Sequence, residues 1–440
     1  MAVIRVPGRG DVELGDMIGS GAEGQIFAVK GSEDVCVKLL FDDDPVLYDR
    51  IQALTRLQPA RWRGDHGEHH HVAWPLAWVE SQDRRPRGYV MPRVQGSLLE
   101  VMFDARSRLD ALAEPTWRTA LDVAARTARL FQMVHDVDIV LGDVSAANLM
   151  VTRSGHISLI DCDTVQFRDP GTGGLWPATK LTPEYAPPNS RTDGGELSSS
   201  HDLFGLGILI ARLLMEGQHP FEGVPARGAD LTIDQNIARR NNRITHPEQL
   251  VPIAWAFDPA ALPPAITALL IRCFGPGYDD PEARPSPAQW QGALDRAGYE
   301  LQGCVTSDRH LFHSSLPSCV WCGRREIGHG DSYPPSTARA GAPRVPGTAG
   351  TVPAPSWVPP VPLAPPVSTP MVPGPTGPAP SRAPAGAGAR PGCRRPASGG
   401  VTAVPPPVSG QRRPVGGVKA LLAVTAVVAA LIFIAMMVAR

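Results

Sequence analysis

Acidic residues stop at Asp331: all 43 Asp and Glu lie at or before it, while ten Lys and Arg follow. Residues 1–331 therefore hold 32 basic against 43 acidic side chains, a net charge of −11, and the tail carries +10. An acidic body repels a phosphate backbone, so no nucleic acid is expected as its main partner. Cysteine is scarce and odd in number, seven in all, with Cys36, Cys162, Cys273 and Cys393 isolated. That excludes a disulfide scaffold and leaves reduced thiols, with one metal-like grouping near residue 320. Aromatics nearly vanish after Asp331, where only Tyr333, Trp357 and Phe433 remain. The opening MAVIRVPGRG lacks a long apolar run, so a secretory leader is not expected. The 440 residues exceed what one core usually needs.

What is present centres on Leu141 to Asp163, LGDVSAANLMVTRSGHISLIDCD. Asp143, Asn148 and Asp161 each stand beside an apolar run that pins them to a core strand. Transfer of a phosphoryl group from a nucleoside triphosphate uses such a set. One carboxylate orients the attacking hydroxyl, and an amide with a second carboxylate holds Mg²⁺. Upstream, Val12 to Leu40 reads as β-runs around GSGAEGQIF, with Gly19, Gly21 and Gly24 in a GxGxxG followed by Ile26 and then Val35-Cys36-Val37-Lys38. Glycines let a hairpin approach phosphates, and a Lys on the next strand neutralises α/β-phosphate charge. By itself the glycine pattern is also that of an ordinary turn.

Spacings of three and four place Val46, Leu47, Ile51, Leu54 and Leu57 on one face of a helix over Asp42 to Leu57. No Glu stands there to pair with Lys38, and Asp49 is the available substitute. His66, His69, His70 and His71 lie in a polar stretch that reads as a solvated loop rather than a metal site. Val72 to Val79 and Gly88 to Val94 read as strands, and Gly96 to Leu99 as a helix start. A long helix follows from Glu114 to Val134, with Leu121, Ala124, Ala128, Phe131 and Val134 on one face. Ala147 to Thr152 and His156 to Ile160 read as a hairpin about Ser154-Gly155.

These elements stand in one order, and the chain resembles a bacterial eukaryotic-type (Hanks-type) Ser/Thr protein kinase over roughly Val12 to Ala297. The resemblance rests on the Gly-rich loop, Lys38, Asp143 with Asn148, and Asp161 where the family has Asp-Phe-Gly. It continues through Thr182-Pro183-Glu184-Tyr185-Ala186-Pro187-Pro188, Asp202 to Gly207, Gln218 to Phe221 and Arg284-Pro285-Ser286. It implies a two-lobed α+β fold in which Gly19, Gly21, Gly24, Ile26, Lys38 and Met91 surround ATP, with Pro92 to Gln95 as the hinge. Asp143 would orient the acceptor hydroxyl, Asn148 and Asp161 would hold Mg²⁺, and Asp202 would brace the catalytic loop. Departures set this chain on a non-RD branch: Leu141-Gly142 precede Asp143, Ser145 stands where a Lys is common, and Cys162-Asp163 replace Phe-Gly. Asn189 stands where a Glu usually pairs with the Arg at position 284. Asp163 reads either as a second metal ligand or, slightly favoured, as a solvated carboxylate.

Domain boundaries follow the composition: a kinase-like domain over 1–298, a Cys/His element over 299–330, a linker over 331–418 and an anchor over 419–440. In the second, Cys304, His310, Cys319 and Cys322 suit tetrahedral Zn²⁺, with His313 as a competing ligand. Resemblance to a divergent kinase branch linked to tellurite-resistance and von Willebrand-type A proteins favours His310. The linker is rich in Pro, Ala and Gly and reads as an unfolded tether. Ala420 to Ala439 contains no polar residue but Thr425, and at about 1.5 Å per residue it spans a hydrocarbon core of about 30 Å. Arg412, Arg413 and Lys419 against Arg440 place the kinase on the cytoplasmic side of the cell membrane, beside protein substrates at its inner face. Thr164, Thr172, Thr179 and Thr182 are candidates for self-modification. The alternative reading is a nucleotide-binding pseudokinase scaffold that recruits partners there.

Overall fold

The computed structural model describes residues 3–42, 44–58, 62, 69–188, 196–253 and 255–335. His66, Asn189, Cys393, the linker beyond 335 and the segment 419–440 lie outside the described residues. Among the described residues no helix is long and apolar enough to cross a membrane.

The N-terminal part is a closed antiparallel barrel of strands β1 (Val3–Val6), β2 (Gly10–Ser20), β3 (Gly24–Val29), β4 (Ser32–Leu40), β5 (Ala77–Glu80) and β6 (Pro86–Pro92), in the order 1-2-3-4-6-5. Closure through Arg5 opposite Glu80 removes the free edges that would otherwise invite pairing with another chain. Helix α1 (Pro45–Arg56) starts where Asp44 accepts the Val46 amide at 2.9 Å and Pro45 supplies a pre-set φ. Its buried face is Tyr48, Arg50, Ile51, Ala53 and Leu54, while Val46 is exposed. Ile51 and Leu54 are fully buried and Leu47 and Leu57 pack against the cores, as the apolar spacing predicts; Val46 alone of that face is exposed, and Arg50 joins the buried side.

Only the end of Val72 to Val79 is a strand; Val72 itself makes an isolated bridge to Leu159. The helix start expected at Gly96 to Leu99 comes at the end of that stretch: Ser97–Leu98 is β7, whose backbone pairs with Val151 and Met150, and a 3-10 helix over Leu99–Phe103 follows before α2 (Ala105–Ala111). Helix α3 (Trp117–His135) carries a Thr116–Thr119 capping box and buries Leu121, Ala124, Ala128, Phe131 and Val134. Strands β8 (Leu149–Val151) and β9 (Ile157–Leu159) form the expected hairpin, and β7 completes a three-stranded sheet. His69 hydrogen-bonds the Ile157 carbonyl at 3.0 Å, with the His71 and His156 rings about it at 5.0 and 5.1 Å. These histidines therefore pack on β9 and are not a solvated loop.

The activation segment contributes β10 (Phe167–Arg168) and β11 (Leu175–Trp176). Helix α4 (Ser199–Leu214) follows and is buried on nearly every side, with α3 against it. β12 (Val224–Pro225), α5 (Ile233–Ala238), β13 (Leu250–Val251), α6 (Pro264–Phe274), α7 (Pro276–Asp279) and α8 (Pro287–Tyr299) complete the helical lobe. Beyond them, β14 (Leu301–Gly303), β15 (Leu311–His313) and α9 (Val320–Glu326) carry the Cys/His residues. Trp321 and Tyr333 belong to the same hydrophobic core as α3 and α4, so this element is packed as part of the helical lobe.

Candidate active site

Lys38 sits on β4, only 6 % exposed, opposite Tyr89 of β6. A buried ammonium needs compensation, and three carboxylates supply it: Asp163 at 2.9 Å, Glu23 of the Gly-rich loop at 3.4 Å, and Asp161 in direct contact. Burial alone would lower the Lys38 pKa, but Asp163 and Asp161 raise it well above the usual lysine value. Asp49 is not its partner. It is exposed, one residue from Arg50, which points inward. Arg50 donates to the carbonyls of Asp163 at 2.5 Å, Pro177 at 2.8 Å and Val165, tying α1 to the activation segment. Asp163 is 2 % exposed, which overturns its reading as a solvated carboxylate. Burial pushes its pKa up, whereas Asp161 is held below its usual value against its own burial by the Lys38 charge.

The catalytic loop hangs from Asp202, fully buried on α4. Its Oδ2 accepts the Leu141 amide at 2.8 Å, its Oδ1 accepts the Gly142 amide at 2.9 Å, and His135 Nε2 lies 2.9 Å from Oδ2. Burial would raise the Asp202 pKa, but the His135 hydrogen bond and nearby imidazole charge bring it to about 2. The bracing role expected of Asp202 is thus visible as two backbone hydrogen bonds. Gly142 has φ +70° and faces Ala178, whose Cβ would lie 2.5 Å from any added side-chain carbon. Where an Arg would stand, the activation segment fills the space.

Asn148 donates from Nδ2 to the Asp143 carbonyl at 2.9 Å and to Asp143 Oδ2 at 3.2 Å, which leaves its Oδ1 for a cation. The Asn148 carbonyl accepts the Ile160 amide at 2.9 Å, so Asn148 and Asp161 are held side by side. Asp161 adopts a left-handed conformation, φ 60° and ψ 60°, of the kind that stores strain at functional sites. The ligand atoms of Glu23, Asp161 and Asp163 lie within 4.8 Å of one another, a donor set of hard oxygens that fits Mg²⁺. Thr182 donates its hydroxyl to Asp143 Oδ1 at 2.6 Å, while Ser145 caps its own turn by accepting the Ala147 amide at 3.0 Å.

In the Gly-rich hairpin Gly19 pairs with Ile26, and Gly24 lies against β4 so closely that a Cβ would meet the Leu39 carbonyl at 2.1 Å. Gly21 faces open space. Met91 is buried with Cys36, Tyr89 and Ile51, and the hinge is fixed by the Arg93 amide on the Asp34 carbonyl at 2.8 Å. Sequence reasoning missed Glu23, Lys180 and Arg50. Glu23 lay inside the quoted glycine motif, and Lys180 two residues before Thr182, so both were readable as charges beside motif residues. Of the candidate acceptors, Thr164 is buried, whereas Thr172 and Thr179 are exposed.

A second constellation lies on the helical lobe. Cys304 Sγ is 3.6 Å from Cys322 Sγ, and His310 Nδ1 is 3.7 and 3.6 Å from the Cys319 and Cys322 sulfurs. His310 Nε2 contacts Asp331 at 2.9 Å. His313 instead bonds Glu300 and Ser315, at 2.8 and 2.7 Å. The structure therefore groups His310, not His313, with the thiols. Arg284, without a Glu at position 189, donates to the carbonyls of Gly277 and Ser200, each at 2.7 Å.

Comparison with known proteins agrees with this geometry. The family described as the protein kinase domain matches residues 12–292. Protein kinase YegI of Escherichia coli (strain K12) is 27% identical over 326 residues, covering 70% of this chain and 48% of that protein. Serine/threonine-protein kinase PknA of Mycobacterium tuberculosis (strain ATCC 25618 / H37Rv) is 26% identical over 223 residues, 49% of this chain and 48% of its own length. The probable serine/threonine-protein kinase PknB of Corynebacterium glutamicum is 26% identical over 221 residues, 48% of this chain and 32% of that protein. The chain thus spans half or less of the length of these relatives. With a Gly-rich hairpin over a buried Lys, and an Asp-Asn pair hung from a buried helix, the chain belongs to the protein kinase domain family.

Proposed function

We propose that the protein transfers the γ-phosphate of ATP, with Mg²⁺, to Ser or Thr hydroxyls of proteins at the inner face of the cell membrane, and to its own activation segment. The observation that supports it is the convergence of Lys38, Asp143, Asn148 and Asp161 on one cleft between the lobes. Asp143 orients the hydroxyl and receives its proton, and Lys38 neutralises phosphate charge. Mg²⁺, held by Asn148 and Asp161, would supply charge neutralisation on the triphosphate. The test is incubation of the full chain with Mg²⁺ and ATP, read by intact mass and peptide mapping. Added phosphate at Thr172 or Thr179, lost in Asp143→Asn, supports the reading. Nucleotide-dependent thermal stabilisation with no transfer would favour the pseudokinase scaffold.

The anchor belongs to the same proposal. The apolar run 420–439, with three basic residues before it and Arg440 after it, inserts in the bilayer and keeps the kinase cytoplasmic. Membrane fractionation checks this: a chain ending at residue 418 that still sediments with membranes refutes it. Cys304, His310, Cys319 and Cys322 would hold a structural Zn²⁺. Sulfurs about 3.8 Å apart are what tetrahedral Zn–S bonds of about 2.3 Å require, and the Asp331 carboxylate behind His310 is the expected orienting partner. One zinc per chain by elemental analysis, absent in Cys319→Ser/Cys322→Ser, is the expected result.

A further inference from the structure

Lys180 has no part in the motifs of the family, yet it reaches the catalytic cleft. Its ammonium lies 2.5 Å from Glu23 Oε1, on the Gly-rich loop, while the other Glu23 oxygen is 3.4 Å from Lys38. One carboxylate is thus held between two lysines at the point where the Gly-rich loop, Asp161 and Asp163 meet. Glu23 occupies, with its negative charge, a place suited to phosphate oxygens. The segment carrying Lys180 is fixed on both sides. Thr182, two residues on, bonds Asp143 at 2.6 Å, and the Thr179 amide bonds the Thr164 carbonyl at 3.0 Å. Gly142 allows this close approach, since Ala178 and the Lys180 carbonyl lie directly over it.

The catalytic loop meanwhile lacks a cation. Ser145 stands two residues after Asp143, engaged with the Ala147 amide. We propose that Lys180 is a catalytic residue, donating from the activation segment the positive charge on the transferring phosphoryl group that position 145 does not provide. This rests on the kinase reading above. In the step, the acceptor oxygen bonds to the γ-phosphorus as the bond from phosphorus to the β,γ-bridging oxygen breaks. ADP keeps that electron pair, the hydroxyl proton passes to Asp143, and Lys180 stays protonated, its N–H groups on the equatorial oxygens. The Lys180 side chain is 38% exposed, so its removal is expected to leave the fold intact.

Two measurements on the full chain test the assignment. Lys180→Ala should lower kcat roughly 100-fold, as loss of one preorganised transition-state donor does, with the KM for ATP changed less than about threefold. Adding Ser145→Lys in that background should recover about tenfold or more, by returning the charge from the catalytic loop. Independently of turnover, an ATP acyl-phosphate should label Lys180 as well as Lys38. The amine attacks the anhydride carbonyl, an amide forms and ATP departs, and excess ATP should suppress both labels. Wild-type transfer with Lys180→Ala within twofold, or ATP-protected label on Lys38 alone, overturns the role of Lys180 and leaves the kinase reading standing. Wild type no faster than Asp143→Asn overturns both.

Discussion

Three carboxylates surround Lys38, those of Glu23, Asp161 and Asp163, and of these only Asp163 is buried, its own carbonyl held by Arg50 from helix α1. Asp163 is accordingly the residue that positions Lys38. Asp163→Ala is expected to reduce transfer by about tenfold or more, through a raised KM for ATP, while Asp49→Ala stays within twofold; initial rates across ATP concentrations decide between them. Equal effects of the two substitutions would return the role to Asp49. His219 poses a different residue-scale question. Fully buried, it donates from Nε2 to the Glu184 carbonyl at 3.0 Å and accepts the Phe221 amide on Nδ1 at 3.1 Å, so it is neutral. Burial, helped by the Arg212 charge, lowers its pKa to about 3. The unfolded chain binds a proton at about pH 6.5 that the folded chain refuses until about pH 3. Stability is therefore fully present above pH 6.5 and falls as pH drops through that window. Urea unfolding at pH 7 and pH 5 should show a smaller loss in His219→Gln, whose amide can reproduce both hydrogen bonds.

At the scale of elements, the catalytic loop depends on α4 more than on its own sequence. Asp202 is charged and unexposed, and its two oxygens take the Leu141 and Gly142 amides and His135. Asp202→Asn keeps the volume but turns an NH₂ toward one of those donors. We expect about 3 kcal/mol of destabilisation, read by chemical denaturation, together with a fall in kcat; a variant as stable as wild type would show that the loop holds itself. The same scale explains what could be read from the chain in advance. The β-rich start, the α3 helix, the β8–β9 hairpin and the order of Lys38, Asp143, Asn148 and Asp161 were legible, because apolar spacing and glycine punctuation act locally. The inward turn of Arg50 on α1 was not. Spacing placed Ile51 and Leu54 inside correctly and missed only at Val46, but the three carbonyls that draw Arg50 inward come from residues more than a hundred positions away. Likewise Ser97-Leu98 is a strand only because Met150 and Val151 offer it partners. Asp163 looked solvated for want of any local sign that Lys38 would cover it.

For the molecule as a whole, the Cys/His element acts as a clamp on the helical lobe. Trp321, between Val320 and Cys322, packs at 5.7 Å from the Trp117 ring, 5.9 Å from Phe257 and 4.8 Å from Tyr333. Arg324 and Arg108 meet on Glu216, at 3.1 and 3.2 Å, and Arg108 also lies under the Tyr333 ring at 4.7 Å. Large aromatic burial of this kind is worth several kcal/mol, and the charged trio is too buried to lose a member cheaply. If Zn²⁺ fixes Cys319 and Cys322 at either side of Trp321, stripping it loosens a wedge that belongs to the main core, not to a separate module. Calorimetry of the full chain with and without a strong chelator should then show the lobe's main transition itself move down. A loss of about 3 kcal/mol corresponds to roughly 5–10 °C for a domain of this size. Cys322→Ser should reproduce the shift without chelator and show no further response to it. An unmoved main transition, with only a small early event added, would mean that the element melts alone and that Trp321 contributes packing without help from the metal.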